Sequence, residues 1–201
     1  MKTLVLALVV SCLLFTGSIC NAVVIMDATH HNGGLTANAV GYWYNTPDAV
    51  PAGWQQVTPY PYTTALMWTM VGSLGEACNN TGELVQAGYG YKISADLGGG
   101  DGIDATARVW ATQNADGSGN KVLLASVHRI GTPNDGYTLF NTVGTIGAPA
   151  PASLAGYFIQ VSIGGPYVDH YIAGYYDNLV VTGEMVPEPA TMSILALGGL
   201  L

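Results

Sequence analysis

Apolar and polar residues alternate with a period of two along most of the middle of the chain. In YGYKISADLGGG, Tyr89, Tyr91, Ile93, Ala95 and Leu97 alternate with Gly90, Lys92, Ser94 and Asp96. Such a strand buries one face and wets the other, and the glycine run closes it with a turn. ATARVWAT repeats the pattern. Ala105, Ala107, Val109 and Ala111 share one face, and Thr106, Arg108, Trp110 and Thr112 share the other. NADGSGN follows, and its Asp116-Gly117 pair is a hairpin signal, because Gly accepts the positive φ that a tight turn imposes. KVLLASVHRI (121–130) returns as the partner strand. Further strands are predicted at AVVIM (22–26), ALMWTM (65–70), YTLFNTV (137–143), YFIQVSI (157–163) and YYDNLVVTG (175–183), with turns at NNTG, TPND, GAPAPAS and GGPY. No stretch has the 3.6-residue period of a crossover helix, and no internal repeat is present. Eight or nine short strands predict an all-β chain, an antiparallel β-sandwich or jelly roll.

The two ends break this alternation. Met1-Lys2 gives a positive start, Leu4 to Phe15 is nearly all apolar, and small residues follow at Gly17, Ser18 and Ala22. A span needs about 20 apolar residues, so this shorter run predicts a cleaved secretory signal over 1–22. Cleavage is expected near Ala22, with Ser18 or Cys20 as alternatives. Val9-Val10-Ser11-Cys12 faintly resembles a lipoprotein box but lies very early in the apolar core, which makes it the lesser reading. The sandwich is expected over 23–183 and a linker over 184–191. The apolar start of a transmembrane segment follows over 192–201. That segment is about half a span with no basic cluster after it, so it reads either as truncated, the favoured reading, or as defective.

Lys and Arg total 5 against 13 Asp and Glu, for a net charge of −8. A surface so poor in cations argues against nucleic acid and anionic lipid headgroups, both of which need clustered positive charge. Of the 3 cysteines, Cys12 and Cys20 leave with the signal, and Cys78 remains. An intramolecular disulfide is then ruled out, and the fold must rest on its core or on a metal ion. Cys78 itself reads as a small buried hydrophobe, with an intermolecular bridge as the sharper alternative.

Motifs for catalysis are absent: no nucleophile elbow, Walker loop, dinucleotide fingerprint or His-Glu-x-x-His occurs. His30-His31 beside Asp27 has metal-binding residue types, yet neighbours on an extended chain point apart, which favours a solvated loop. Asp169-His170 lacks a nucleophile partner. Asp101 and Asp104 stand close in sequence, and NADGSGN is rich in oxygen but is explained by its hairpin. No pair among the thirteen acids is singled out for glycoside cleavage. The expectation is that the chain is not an enzyme. Sugar binding needs an aromatic platform ringed by polar groups. Trp110, with Arg108 on the same face, is the leading candidate; either that face is open or it packs on the second sheet. Trp43, Tyr60 and Tyr62 fall in predicted loops where a glycan could meet them. Trp68 is expected in the core and Trp54 in a structural role.

Three segments carry a resemblance. VPAGWQQV (50–57), AGYGYKISADLG (87–98) and AGYYDNLVVTG (173–183) resemble the Pro-x-Gly-Trp opening, the Tyr-rich strand and the closing strand of carbohydrate-binding-module-like jelly rolls. The resemblance implies the fold first. It also implies a structural Ca²⁺ at Asp177 of the closing strand, with Asp27 as partner; the plainer reading is that Asp177 bonds local amides. The tail VPEPATMSILALGGLL resembles the start of a PEP-CTERM sorting signal, carried by Pro187, Glu188 and Pro189. The two prolines keep the segment extended. That resemblance implies an exosortase-type membrane processing enzyme as partner, transient inner-membrane anchoring, and delivery to the cell surface. The expected function is an exported, non-catalytic surface or extracellular-matrix protein associated with extracellular polysaccharide. The alternative is a true carbohydrate-binding module, and a glycoside hydrolase is the lesser one.

Overall fold

The computed structural model describes residues 22–35, 53–56, 63–66, 70–73, 75–99, 102–135, 138–165 and 174–187. Within them lie eleven strands: β1 (Val23–Met26), β2 (Trp54–Gln56), β3 (Thr63–Leu66), β4 (Met70–Ser73), β5 (Gly75–Leu84), β6 (Tyr89–Gly99), β7 (Asp104–Thr112), β8 (Lys121–Ile130), β9 (Phe140–Val143), β10 (Phe158–Gly165) and β11 (Gly174–Met185). They form two antiparallel sheets. A six-stranded sheet runs β3-β4-β11-β6-β9 with β1 alongside β11, and a five-stranded sheet runs β2-β5-β10-β7-β8. The architecture is the expected β-sandwich. Among the described residues the only helical element is a 3₁₀ turn at Ala152–Leu154, and no helix is long and apolar enough to cross a membrane.

Alternation decides which faces meet. Ala105, Ala107, Val109 and Ala111 of β7 and Ile159, Val161 and Ile163 of β10 point into the core. Larger groups join them from the six-stranded sheet: Tyr91, Ile93, Leu97, Tyr176 and Val181. Two stacked sheets leave about 10 Å between them. Rings from one side and alanines from the other share that gap.

Two segments differ from the expected strands. Of the run expected at 65–70, Ala65 and Leu66 end β3 and Met70 opens β4, registered Leu66↔Met70, and 67–69 lie outside the described residues. β5 covers GEACNNTGEL, where NNTG had suggested a turn. Its polar groups are satisfied by distant partners: Asn79 Nδ2 donates to the His31 carbonyl (2.8 Å) and Thr81 Oγ1 to the Ile159 carbonyl (2.7 Å). Polar residues with such partners can be buried in a strand, and a hydropathy pattern cannot register it.

Open edges are covered by loops. Beyond β9 the chain runs along β6, with Gly144 N donating to the Ile93 carbonyl (2.9 Å) and Gly147 N to the Tyr91 carbonyl (2.7 Å). There Gly147 passes so close to β8 that a Cβ would collide with the Leu124 carbonyl. On the other side, residues 27–35 connect β1 to a bulge in β11. Leu179 N donates to the Gly33 carbonyl (2.7 Å), and Trp54 Nε1 donates to the Asn32 carbonyl (3.2 Å). Trp54 is buried in the core cluster, a structural role as expected. Trp68 lies outside the described residues.

Candidate functional site

Because the alanine face of β7 enters the core, its other face is the outside of the five-stranded sheet. Register then assembles a set of polar groups there. Trp110 lies between Gln160 of β10 and Leu123 of β8; Arg108 lies between Ser162 and Ser126; Thr112 lies between Phe158 and Lys121. Asn80 of β5 flanks Gln160 from the far side. Residues from four strands thus share one surface, and a bulge between Val109 and Trp110 locally offsets the register with β8.

The side chains are tethered to one another. Trp110 Nε1 donates to Ser162 Oγ at 2.9 Å, which holds the half-buried indole against β10. Lys121 Nζ donates to Gln160 Oε1 at 2.7 Å, and Gln160 Nε2 donates to Asn80 Oδ1 at 2.6 Å. Gln160 is 2% exposed, so its amide needs both partners. The β7–β8 hairpin closes over this end. Asn114, Ser118 and Asp116 bond within the loop, and Gly117 has φ +80°, so close above Gln160 and Asn80 that a side chain there would collide with both. Hydrogen bonds from Ser118 hold the Asp116 carboxyl below its ordinary pKa. The hairpin at Asp116-Gly117 follows the sequence expectation.

At the other end of the same face, the Asp104 carboxylate meets His128 Nδ1 at 3.1 Å and accepts from Thr106 Oγ1 at 3.2 Å. Beneath it the Tyr176 hydroxyl is buried by the Thr106 backbone without a hydrogen bond of good geometry. Burial pushes its pKa well above the usual phenol value.

Of the sequence candidates, Trp110 and Arg108 are on this surface together. Trp43, Tyr60 and Tyr62 lie outside the described residues, as do Asp101, Asp169, His170, Glu188 and Pro189; Pro187 is exposed just beyond β11. Gln160, Ser162, Lys121 and His128 were not singled out. Alternation in YFIQVSI already puts Gln160 and Ser162 on one face, whereas Asn80 sits in the strand that sequence patterning had missed.

Asp27 and Asp177 stand on the other sheet. Asp27 Oδ1 accepts from Thr29 N (2.7 Å), Thr29 Oγ1 (2.8 Å), His30 N (2.8 Å) and His30 Nδ1 (2.9 Å). Those bonds, from Thr29 and then from His30, hold its carboxyl far below the usual carboxylate range. Asp177 is 5% exposed, pairs with Asp96 across the strands, and accepts from Asn178 N at 2.7 Å. A cation between the first and closing strands would suit the buried Asp177 carboxylate, although the oxygens of Asp96 on the neighbouring strand already accept from Asn141 Nδ2 (2.9 Å) and Asn178 Nδ2 (2.8 Å). It fits Asp27 Oδ1 poorly, because four donors already surround that oxygen. His30 turns to Asp27, while His31 approaches Glu83 at 3.7 Å, so the adjacent imidazoles diverge. Among the described residues no three His, Cys, Asp or Glu side chains are gathered for a metal.

No family model matches the chain, and no curated protein matches it. Solved structures do. A Stig cyclase, Fisc, from Fischerella sp. TAU in complex with (3Z)-3-(1-methyl-2-pyrrolidinylidene)-3H-indole is 15% identical, with a TM-score of 0.53, covering 83% of this chain and 100% of the cyclase. An apo cyclase from Fischerella sp. is 15% identical, with a TM-score of 0.56 over 84% of this chain and 99% of that one. The CBM22-1–GH10 modules of Clostridium thermocellum endo-1,4-β-D-xylanase 10B, complexed with xylohexaose, are 17% identical, with a TM-score of 0.46 over 79% of this chain and 28% of that one. The cyclases correct the expectation that this chain is not an enzyme, because enzymes are built on the fold it shares. The expectation rested on missing local motifs. Groups brought together from separate strands, as here, leave no such motif in a sequence. What the cyclases share with this chain is the two-sheet fold.

Proposed function

We propose that this chain is an exported β-sandwich protein that binds extracellular polysaccharide through the outer face of its five-stranded sheet. The observation that supports the reading is the tethered set Trp110–Ser162 and Lys121–Gln160–Asn80, with Arg108 beside it. Sugar C–H faces pack on aromatic rings while hydroxyls need amide, hydroxyl or cationic partners. Partners already held in place lose little conformational freedom when the sugar arrives. Affinity electrophoresis against a glycan panel tests this. Trp110→Ala should abolish retention with the fold intact, and no retention across the panel would sink the reading.

Delivery rests on the two ends of the sequence. The segment 1–22 acts as a secretory signal, and Pro187, Glu188 and Pro189 form the motif that an exosortase-type membrane enzyme processes. The check is the mass of the released protein, which should end near Glu188 in a host with that enzyme and stay unclipped in one without it. A structural Ca²⁺ held by Asp177 would stabilise the closing strand, with Asp27 contributing oxygens other than its committed Oδ1. Chelation should then lower the melting temperature of the wild type and not of Asp177→Asn.

One observation favours a second reading. Asp104 holds His128 Nδ1 at 3.1 Å and leaves Nε2 on the open face, the layout of an acid–base pair. New chain ends appearing in a bound polysaccharide, and lost in His128→Ala, would establish it. Unchanged polymer after prolonged incubation would remove it.

A further inference from the structure

We infer that the polysaccharide taken by this face is a carboxylated one, with Arg108 and Lys121 pairing with its carboxylates on either side of Trp110. The inference rests on the glycan-binding reading and narrows its ligand class. The chain has only 5 Lys and Arg against 13 Asp and Glu, so the placement of each cation carries information. Arg129 is held by Asp135 at 2.9 Å and lies 3.7 Å from the Phe140 ring centroid. Lys92 is on the six-stranded sheet, opposite Thr182. Arg108 and Lys121 both fall on the face that displays Trp110.

Neither of these two charges is neutralised by an anion among the described residues. Lys121 donates to the neutral amide oxygen of Gln160. Arg108 is half-buried and has no hydrogen bond or ion pair there. The nearest acid on its strand face, Asp104, is engaged by His128 and Thr106. A guanidinium with no protein anion beside it leaves its paired N–H groups available to a ligand carboxylate, which would accept both. Arg108 and the row of Thr112 and Lys121 are four residues apart on β7, about 13 Å at roughly 3.3 Å per residue. That separation exceeds one sugar ring, so the two cations would read charges on separate units of a chain. Two cations on a molecule of net charge −8 are too few to hold a nucleic acid.

The test compares polygalacturonate with its fully methyl-esterified form, the same backbone without charge, by affinity electrophoresis and titration calorimetry on the full chain. The acid form should bind about tenfold tighter, and the preference should fade as salt screens the charges. Arg108→Gln and Lys121→Gln should each reduce the preference with an unchanged circular dichroism spectrum. Lys92→Gln, on the opposite sheet, should leave it intact. Equal binding of both polymers would overturn the charge inference while the glycan reading stands. Retention of no polymer, neutral or acidic, would remove both. Tighter binding of a single-stranded oligonucleotide than of polygalacturonate would overturn the ligand class.

Discussion

A methyl group at Gly147 would meet the Leu124 carbonyl, which belongs to the backbone and cannot rotate away. Gly147→Ala should therefore destabilise the fold by about 2 kcal/mol or more, read as a lower urea midpoint. Tyr176 makes the opposite case. Its buried hydroxyl has no partner of good geometry, so Tyr176→Phe should be neutral or stabilising by up to about 1 kcal/mol. The acid limb of stability belongs to this scale too. Asp135 is held below its ordinary pKa by Thr132 and then by Arg129, and Asp27 by Thr29 and then by His30. A depressed folded pKa means the contribution is fully present above the unfolded value of about 4 and is lost as pH falls below it. Asp135→Asn should flatten the loss of melting temperature below about pH 4 and leave the curve near neutrality shifted but parallel.

The alternation in 89–97 and 105–112 was enough to place β6 and β7 and to assign the faces of β7. It could not say which sheet each strand joins, since a period of two is blind to partners. β5 was invisible for a different reason: it pairs with β2 and β10, and its buried Asn79 and Thr81 side chains are satisfied by the His31 and Ile159 carbonyls, 48 and 78 residues away. β7 is built of alanines because rings from β6 and β11 share the gap. Ala107→Leu should thus overpack it and cost about 1–3 kcal/mol in denaturant unfolding, without altering the strands seen by circular dichroism. A thermal midpoint unchanged by this substitution would show that the two sheets can part to admit the larger side chain.

Taken whole, the molecule separates apolar and polar side chains by face. Core-facing alternation holds the sheets together, and one outer face gathers Trp110, Arg108, Lys121, Gln160 and Ser162. Cys78 is buried and in no disulfide among the described residues, so reducing agent should leave the melting temperature of the folded domain unchanged. A drop under reduction would point to the intermolecular bridge instead.

The sequence alone determined the all-β class, most strand positions and the shared face of Trp110 and Arg108, because these follow from local periodicity and turn chemistry. Only the tertiary structure decided that this face looks outward, and that Lys121, Gln160 and Asn80 link across it. It also decided that Asp104 meets His128. Those relations depend on strand order and register, set by contacts between residues far apart in the chain. No local pattern records them.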